Sequence, residues 1–494
     1  MITILDCYTD EPSGLGVPPY LGTYPRYLIG YFKDATYITI DDLRLHFKYN
    51  DRVPETKQNE STRIDIYNLT KNRKDIAEIL ECTKTLIIVI GVNTPGKYLS
   101  AIPGTIKEIK EMLAGFKCKK ILTGPVIYGT GIFGGRHSTI VKDSFFDEIK
   151  DFLLTFEEID KYSVLGTKLL EQIPDIRIIE IELGKGCIYG KCSFCTEPLK
   201  SKVLFRSSDG ILNEMKSLYD RGARYFRLGK QTCFYSYPEA IKLLEDISKE
   251  LPGIKLLHID NVNPINVVAD RNNDVTKAIV KHCTSGNIAA FGVETFDMAI
   301  TKENKLNCAP EMAYKAIKIL NQYGKERGYN GMPKFLPGIN IIFGLRGETK
   351  GSNAENIKWL KKFLDEDLWL RRINIRQVVI FPNTEMEKTG TKFLKKNKKY
   401  YWKWRKEIRE QIDLPMLKKV FPTGLLLKDI YTETYQGQVT FGRQFGTYPI
   451  IIGIRGRLPL KKFYDIKITG HMLRSITGEV YQETFHETEN KKDL

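Results

Sequence analysis

The chain opens on MITILDC, an apolar run of strand type, and similar runs recur at TYITI (36–40), LIIVIGV (86–92) and KKILTGPVI (119–127). Between them the apolar residues fall at helical spacing, in the segment Tyr24 to Phe32, in Lys71 to Glu81 and in TIKEIKEMLAGF (105–116). Apolar runs bounded by Gly and Pro, alternating with 3.6-period helices, predict an open α/β domain over residues 1–155, its small parallel sheet covered by helices. Ligands of such sheets sit beyond the carboxyl ends of the strands. Those ends are Asp6–Cys7, Val92–Thr94 and Thr123–Pro125. No G-x-G-x-x-G opens a helical pattern, so nothing supports dinucleotide binding.

Residues 160–390 repeat the alternation at longer spacing. RIIEIEL (177–183), ARYFRLG (223–229), KLLHIDNV (255–262), IAAFGVE (288–294), PGINIIFGL (337–345) and INIRQVVIF (373–381) are strand candidates. Helical patterns lie between them, as at Pro238–Glu250 and Glu311–Gly324. Six such strands predict a partial or full (β/α) barrel, with its chemistry at the carboxyl ends. The texture then changes. Residues 391–415 form a basic, aromatic-rich helical linker, and 416–485 are short, Gly-punctuated and β-branched, which predicts a small all-β barrel.

Length agrees with this division, since 494 residues correspond to about three domains of roughly 150. The start, MITILDCYTDEP, has neither a basic n-region nor a long apolar h-region, and the apolar runs fall short of the roughly 18 residues that span a bilayer. The expectation is a cytoplasmic chain without a membrane partner. Charge adds one feature. The net is +16, and 12 Lys/Arg against three acids lie between Lys388 and Lys419, interleaved with Phe393, Tyr400, Tyr401, Trp402 and Trp404. Such a segment either follows a phosphate backbone and stacks on bases, or is a helix whose aromatics pack inward under solvated lysines. The abundance of lysine and isoleucine, with only six His, is similar to archaeal compositions.

Nine cysteines are present, six of them scattered (Cys7, Cys82, Cys118, Cys233, Cys283 and Cys308) and read as reduced, packed thiols. The other three, Cys187, Cys192 and Cys195, share GKGCIYGKCSFCTEP at the end of a barrel strand. A four-ligand zinc site needs another Cys or His nearby, and none follows before Cys233. Three thiolates can hold three irons of a 4Fe–4S cluster and leave the fourth open to a substrate-like ligand. Zinc and coincidence are the weaker alternatives.

Residues 160–390 resemble the radical S-adenosylmethionine (SAM) superfamily. Its usual spacing is Cys-x-x-x-Cys-x-x-Cys; here four residues separate the first two cysteines, while the Phe-Cys ending is intact. The resemblance implies that SAM chelates the open iron and that an electron from the cluster cleaves its C–S bond to a 5′-deoxyadenosyl radical. It implies further that Phe194 lies against adenine, and that Gln231 in RLGKQ lies near the methionine moiety. Glu294 in FGVET would contact SAM's polar groups, and Gly344 and Glu348 in FGLRGET would lie beside the adenosine. His258, Asp260 and Asn261 in HIDNVNP would face the substrate or the ribose. Each carboxylate has an ordinary alternative as a cap or a rim salt bridge.

The flanks extend the resemblance. GVPPYLGTYPRYLIGYF is similar to the Pro-Pro loop and helix of cobalamin-binding members, with a Rossmann-like N-terminal domain; this implies Pro19, Thr94 and Gly124 as residues around a corrin. The tail, GQVTFGRQFGTYPIIIGIRGR…DIKITGHMLRSITGEV, resembles a TRAM domain, as in methylthiotransferases, whose N-terminal domain ligates a second cluster. Only Cys7 stands at a suitable strand end for that; Cys82 and Cys118 precede their strands. The resulting expectation is a cobalamin-dependent radical SAM methyltransferase acting on an unactivated carbon of a protein or other macromolecule, with a ferredoxin or flavodoxin as reductant. The alternative is a tRNA-modifying, methylthiotransferase-like enzyme.

Overall fold

The computed structural model describes residues 1–11, 14–52, 70–72, 75–91, 101–129, 135–138, 140–152 and 154–484. Thr94, expected beside a corrin, lies outside the described residues. Strands β1 (Ile2–Asp6), β2 (Thr36–Thr39), β3 (Thr85–Val89), β4 (Lys119–Thr123) and β5 (Glu148–Ile149) form a parallel sheet in the order β2-β1-β3-β4-β5. In β3 and β4 every residue after the first is buried, which is why these strands read as unbroken apolar runs. This strand order places the ligand crevice of such a sheet outside the carboxyl ends of β1 and β3, where the order reverses.

Helices α1 (Thr23–Tyr31), α2 (Ile40–Tyr49) and α3 (Ile106–Leu113) belong to the same domain. Apolar spacing in the sequence predicts no helix over 40–49. The reason is that α2 begins on the residue after β2, and Thr39 is both strand end and cap. Its hydroxyl accepts from Asp42 N–H at 3.2 Å while the Asp42 carboxylate accepts from Thr39 N–H at 2.7 Å.

After α4 (Phe156–Leu165), the chain enters the half-barrel with β6 (Ile178–Glu182). Helix α5 (Ser208–Asp220) leads to β7 (Tyr225–Gly229), β8 (Leu256–Ile259) and β9 (Asn261–Val262). Strands β10 (Asn287–Glu294), β11 (Phe335–Phe343) and β12 (Arg372–Gln377) complete it. All pairs are parallel and follow chain order, with one break at Asp260 between β8 and β9. The barrel stays open. Its first edge is extended by the two-residue strand Tyr20–Leu21, which pairs with β6, and the Pro19 carbonyl accepts from Ile178 N–H at 2.8 Å. Pro19 therefore splices the first domain onto the barrel.

Buried charge reinforces this junction. Glu214 on α5 accepts from Arg26 of α1 at 2.5 Å and from Arg206 at 2.6 Å, and all three side chains are fully buried. Arg206 also reaches Asp160 of α4 at 2.7 Å. Helices α1 and α4 approach closely because Gly30 has no side chain; a Cβ there would lie 1.9 Å from the Tyr162 carbonyl oxygen.

Helix α6 (Lys392–Ile408) turns Leu394, Tyr401, Trp404 and Ile408 inward, with Tyr401 and Trp404 packed on Phe343 of β11. The packed-helix reading of the basic segment thus holds for these positions, while Trp402 remains 66% exposed. The last strands, β13 (Leu426–Gln436), β14 (Val439–Gln444), β15 (Ile452–Arg455), β16 (Phe463–His471) and β17 (Ile476–Thr484), close a five-stranded barrel. It docks on the amino edge of the half-barrel, where Phe445 meets Tyr225 at 5.0 Å between ring centroids.

Candidate functional site

The three clustered cysteines sit on a loop at the carboxyl end of β6. Its base is closed by an antiparallel pair, Gly184–Lys185 with Leu204–Phe205. Gly186 (φ +77°) is required there, because a Cβ would stand 2.5 Å from the Lys202 carbonyl oxygen. The far side of the loop is pinned by Asn304, which is fully buried. Its carbonyl oxygen accepts from Ser193 N–H at 3.0 Å, its side-chain oxygen bonds the Ser193 hydroxyl at 3.0 Å, and its amide donates to the Arg346 carbonyl at 2.7 Å. Ser193 stands between Cys192 and Phe194, so this one asparagine ties both to the short helix after β10, through the Ile300 carbonyl, and to the turn after β11, through Arg346. Sequence reading missed it, since a lone buried amide has no periodic signal.

Burial pushes the Cys192 thiol up to about 12 and Cys195 to about 11, and in each case neighbouring thiols of the set contribute. Such thiols ionise when a metal displaces the proton. Cys192 and Phe194 pack against an apolar cluster that includes Leu345, Val378 and Leu394. Among the described residues no three His, Cys, Asp or Glu side chains stand as a ready-made ligand group, so metal binding would draw the three sulfurs together. A soft, three-sulfur donor set on one fastened loop with an apolar lining fits an iron–sulfur cluster and leaves a ligand position free.

The other strand ends supply polar atoms without partners. Glu294, at the end of β10 with φ +65°, has an unpaired buried oxygen, and burial lifts its carboxyl to about 8. Gln231, beyond β7, donates to the Leu228 carbonyl at 3.4 Å while its side-chain oxygen is buried and unpaired. These two suit the polar groups of a ligand such as SAM. Glu348 is different. One oxygen accepts from Gly344 N–H at 2.8 Å and the other from Asn397 on α6 at 2.7 Å, so the carboxyl shapes the Gly344 turn (φ +92°) from behind. Burial raises it to about 7.

His258 and Asp260 do not face a ligand. His258 Nδ1 accepts from Thr447 N–H at 3.0 Å and its Nε2 donates to the Thr284 carbonyl at 3.0 Å. Burial lowers it to about 4, so the ring is neutral and serves as a peg for the C-terminal barrel. Asp260 pairs with Arg227 at 2.5 Å, and Arg227 also meets Glu180, in a buried triad inside the barrel. Asn261 is half-buried beside the break in the ladder.

A crevice of about 160 Å³ separates the first domain from this edge. Tyr24 and Tyr27 of α1 and Thr123 at the end of β4 form one side; Glu182, Gly186 and Lys230 form the other. Carboxyl ends of both sheets therefore share one space. Pro19 and Gly124 do not line it: Pro19 is bound to Ile178, and Gly124 packs against Ile90, whose oxygen a Cβ would meet at 2.7 Å. At about 160 Å³ the crevice is below the roughly 300–1,000 Å³ of common cofactor sites, so a corrin would require it to open.

No family model matches the chain. It is 38% identical to an uncharacterized protein of Methanocaldococcus jannaschii, over 97% of this chain and 93% of that one. It is 39% identical to an uncharacterized protein of Archaeoglobus fulgidus, over 96% and 89%. The ribosomal protein uS12 methylthiotransferase RimO of Thermosipho melanesiensis is 24% identical, over 61% and 68%. Similar solved structures include the radical SAM methyltransferase TsrM from Kitasatospora setae (TM-score 0.48, 11% identity, 88% of this chain and 78% of that one) and the cobalamin-dependent SAM radical enzyme OxsB (0.48, 11%, 81% and 60%).

Proposed function

The chain belongs to one family with these two archaeal proteins, and we propose that it is a radical SAM iron–sulfur enzyme that methylates its substrate. One observation carries the reading. Three thiols occur on a single fastened loop at the carboxyl edge of a parallel half-barrel, and the neighbouring strand ends present the unpaired oxygens of Glu294 and Gln231. When bound, the cluster supplies the electron that cleaves SAM. The chain's own part is placement: Cys187, Cys192 and Cys195 hold the metal, Asn304 keeps their loop in register, and Phe194 offers a flat apolar face for adenine. Glu294 and Gln231 meet the polar end of SAM, and the apolar lining keeps water from the reacting atoms.

The finer reading is a cobalamin-dependent methyl transfer to an unactivated carbon. Its support is the resemblance of residues 1–155 and the position, at the carboxyl ends of both sheets, of a crevice that would have to widen to admit a corrin. Bound methylcobalamin would supply the methyl group. The likeness to RimO favours a methylthiotransferase as a second reading. Against it, β1, β3 and β4 are parallel, so Cys7 lies at one edge of the sheet and Cys82 and Cys118 at the other. Five residues at about 3.3 Å each separate those edges, too far for one second cluster.

The test is anaerobic reconstitution with iron, sulfide and hydroxocobalamin, followed by dithionite and SAM. The reading expects 5′-deoxyadenosine or S-adenosylhomocysteine, and a corrinoid retained through gel filtration. Cleavage without retained corrinoid removes only the finer reading. No cleavage from cluster-loaded protein removes both.

A further inference from the structure

The opposite face of the molecule holds a second site that the SAM chemistry does not use. Where β12 begins, the turn after α6 and the C-terminal barrel enclose a pocket of about 170 Å³ lined by Arg371, Arg372, Arg409, Arg474, Asp413 and Tyr448, with apolar residues between. Four guanidinium groups face one carboxylate. Arg371 and Arg409 are 8% and 5% exposed, and the Nε of each is buried without a hydrogen-bond partner. Buried donors of a charged group left unsatisfied are costly, and they gain most from an oxyanion.

The pocket is also built. Arg371 donates to the Tyr448 carbonyl at 3.2 Å, and its guanidinium lies 5.0 Å from the Phe421 ring. Arg372 stacks 3.9 Å over the Tyr448 ring, and Tyr448 holds a left-handed backbone (φ +55°) to present it. Arg409 donates to the Ile373 carbonyl at 2.6 Å and pairs with Asp413, and the two residues bound a π-helical turn over 409–413. Such single π turns are a recurrent mark of functional sites. Arg474 closes the mouth from the exposed hairpin between β16 and β17. Burial among like charges lowers Arg371 to about 9 and Arg372 to about 10. An anion at the pocket's centre would remove that repulsion.

We propose that this pocket binds the phosphate group of a phosphorylated small molecule, through the forks of Arg371, Arg372, Arg409 and Arg474. A tetrahedral dianion matches the concave arrangement and the number of free donors. A nucleic-acid backbone instead asks for an open track of charges, and the enclosed mouth and two buried arginines disfavour it.

The experiment uses the full-length protein, with thermal melting and isothermal titration in inorganic phosphate, pyrophosphate and chloride at matched ionic strength. A saturable rise in melting temperature with phosphate and pyrophosphate, absent with chloride, is expected. Arg474→Gln, an exposed change that spares the core, should weaken phosphate at least tenfold without moving the melting temperature in chloride. Arg372→Met, which keeps an apolar stem over the Tyr448 ring, should weaken phosphate likewise. Equal effects of phosphate and chloride would overturn the proposal. So would phosphate affinity indifferent to Arg474→Gln, or binding of a single-stranded oligoribonucleotide that inorganic phosphate does not compete.

Discussion

Glu294→Gln gives opposite signs for stability and for ligand binding. The carboxyl ordinarily titrates at 4.5 and stands at about 8 in the folded chain, with burial the larger cause and Arg376 opposing it. A carboxyl that holds its proton more tightly when folded contributes most below 4.5, and that contribution is lost as pH rises through about 8. At pH 7 the unfolded group is ionised and the folded one mostly is not, which costs about 3 kcal/mol at about 1.4 kcal/mol per pH unit. Glutamine fills the same space and cannot ionise. SAM-free Glu294→Gln protein should therefore be more stable than the parent by up to about 3 kcal/mol at pH 7, with no difference at pH 4. For a chain of this length that is a rise of roughly 3 °C in melting temperature. SAM binding should move the other way, weakening about tenfold or more as a hydrogen bond to a charged group is lost. The parent's affinity should climb between pH 6 and pH 8 as the carboxylate becomes available, and the variant's should stay flat. Melting curves and equilibrium dialysis with labelled SAM across that range read both. A variant less stable than the parent at pH 8, or a stability difference that ignores pH, would show that Glu294 already has a partner, and the reasoning would fail.

Other outcomes follow from the same contacts. Glu214→Ala leaves Arg26 and Arg206 buried without their shared anion and should cost about 3–5 kcal/mol, read by denaturant melts; a loss below 1 kcal/mol would mean water replaces the carboxylate. Asn304→Ala should retain the fold by circular dichroism yet slow cluster reconstitution, because Ser193 loses its side-chain anchor; unchanged iron loading and SAM cleavage would discard that role. His258 is held neutral by burial, and its pKa falls from 6.5 to about 4. The docking of the C-terminal barrel it supports is thus complete above pH 6.5 and weakens as pH falls toward 4. Limited proteolysis near residue 425 should quicken across that window, and a flat profile would contradict the assignment.

Much of this fold was legible because most strands of the first sheet and the half-barrel are buried on both faces and leave largely apolar runs. All seven barrel strands lie within two residues of the six runs, β8 and β9 sharing one, and the cysteine loop follows the first of them. Glu294 and Gln231 were legible as polar residues at strand ends. Three features were not. Asn304 acts from a single position between elements, and local spacing carries no trace of it. Glu348 resembles a ligand contact in sequence, yet its oxygens are taken by Gly344 and Asn397, a pairing that requires α6 to fold back across the barrel. The arginine pocket gathers residues 371, 409 and 474 from three parts of the chain, and only Arg409 belongs to the charge run near 400, so local charge density carries little trace of it. Among the described residues, no helix is long and apolar enough to cross a membrane.

The proposed chemistry depends on what Cys187, Cys192 and Cys195 hold. Electron paramagnetic resonance of the reduced, anaerobically reconstituted protein, with and without SAM and alongside metal analysis, tests this most directly. About four irons per chain and a signal that changes when SAM is added are expected, with both lost on replacing any one of the three cysteines by alanine. Stoichiometric zinc, or an iron signal indifferent to SAM and retained in Cys192→Ala, would contradict it.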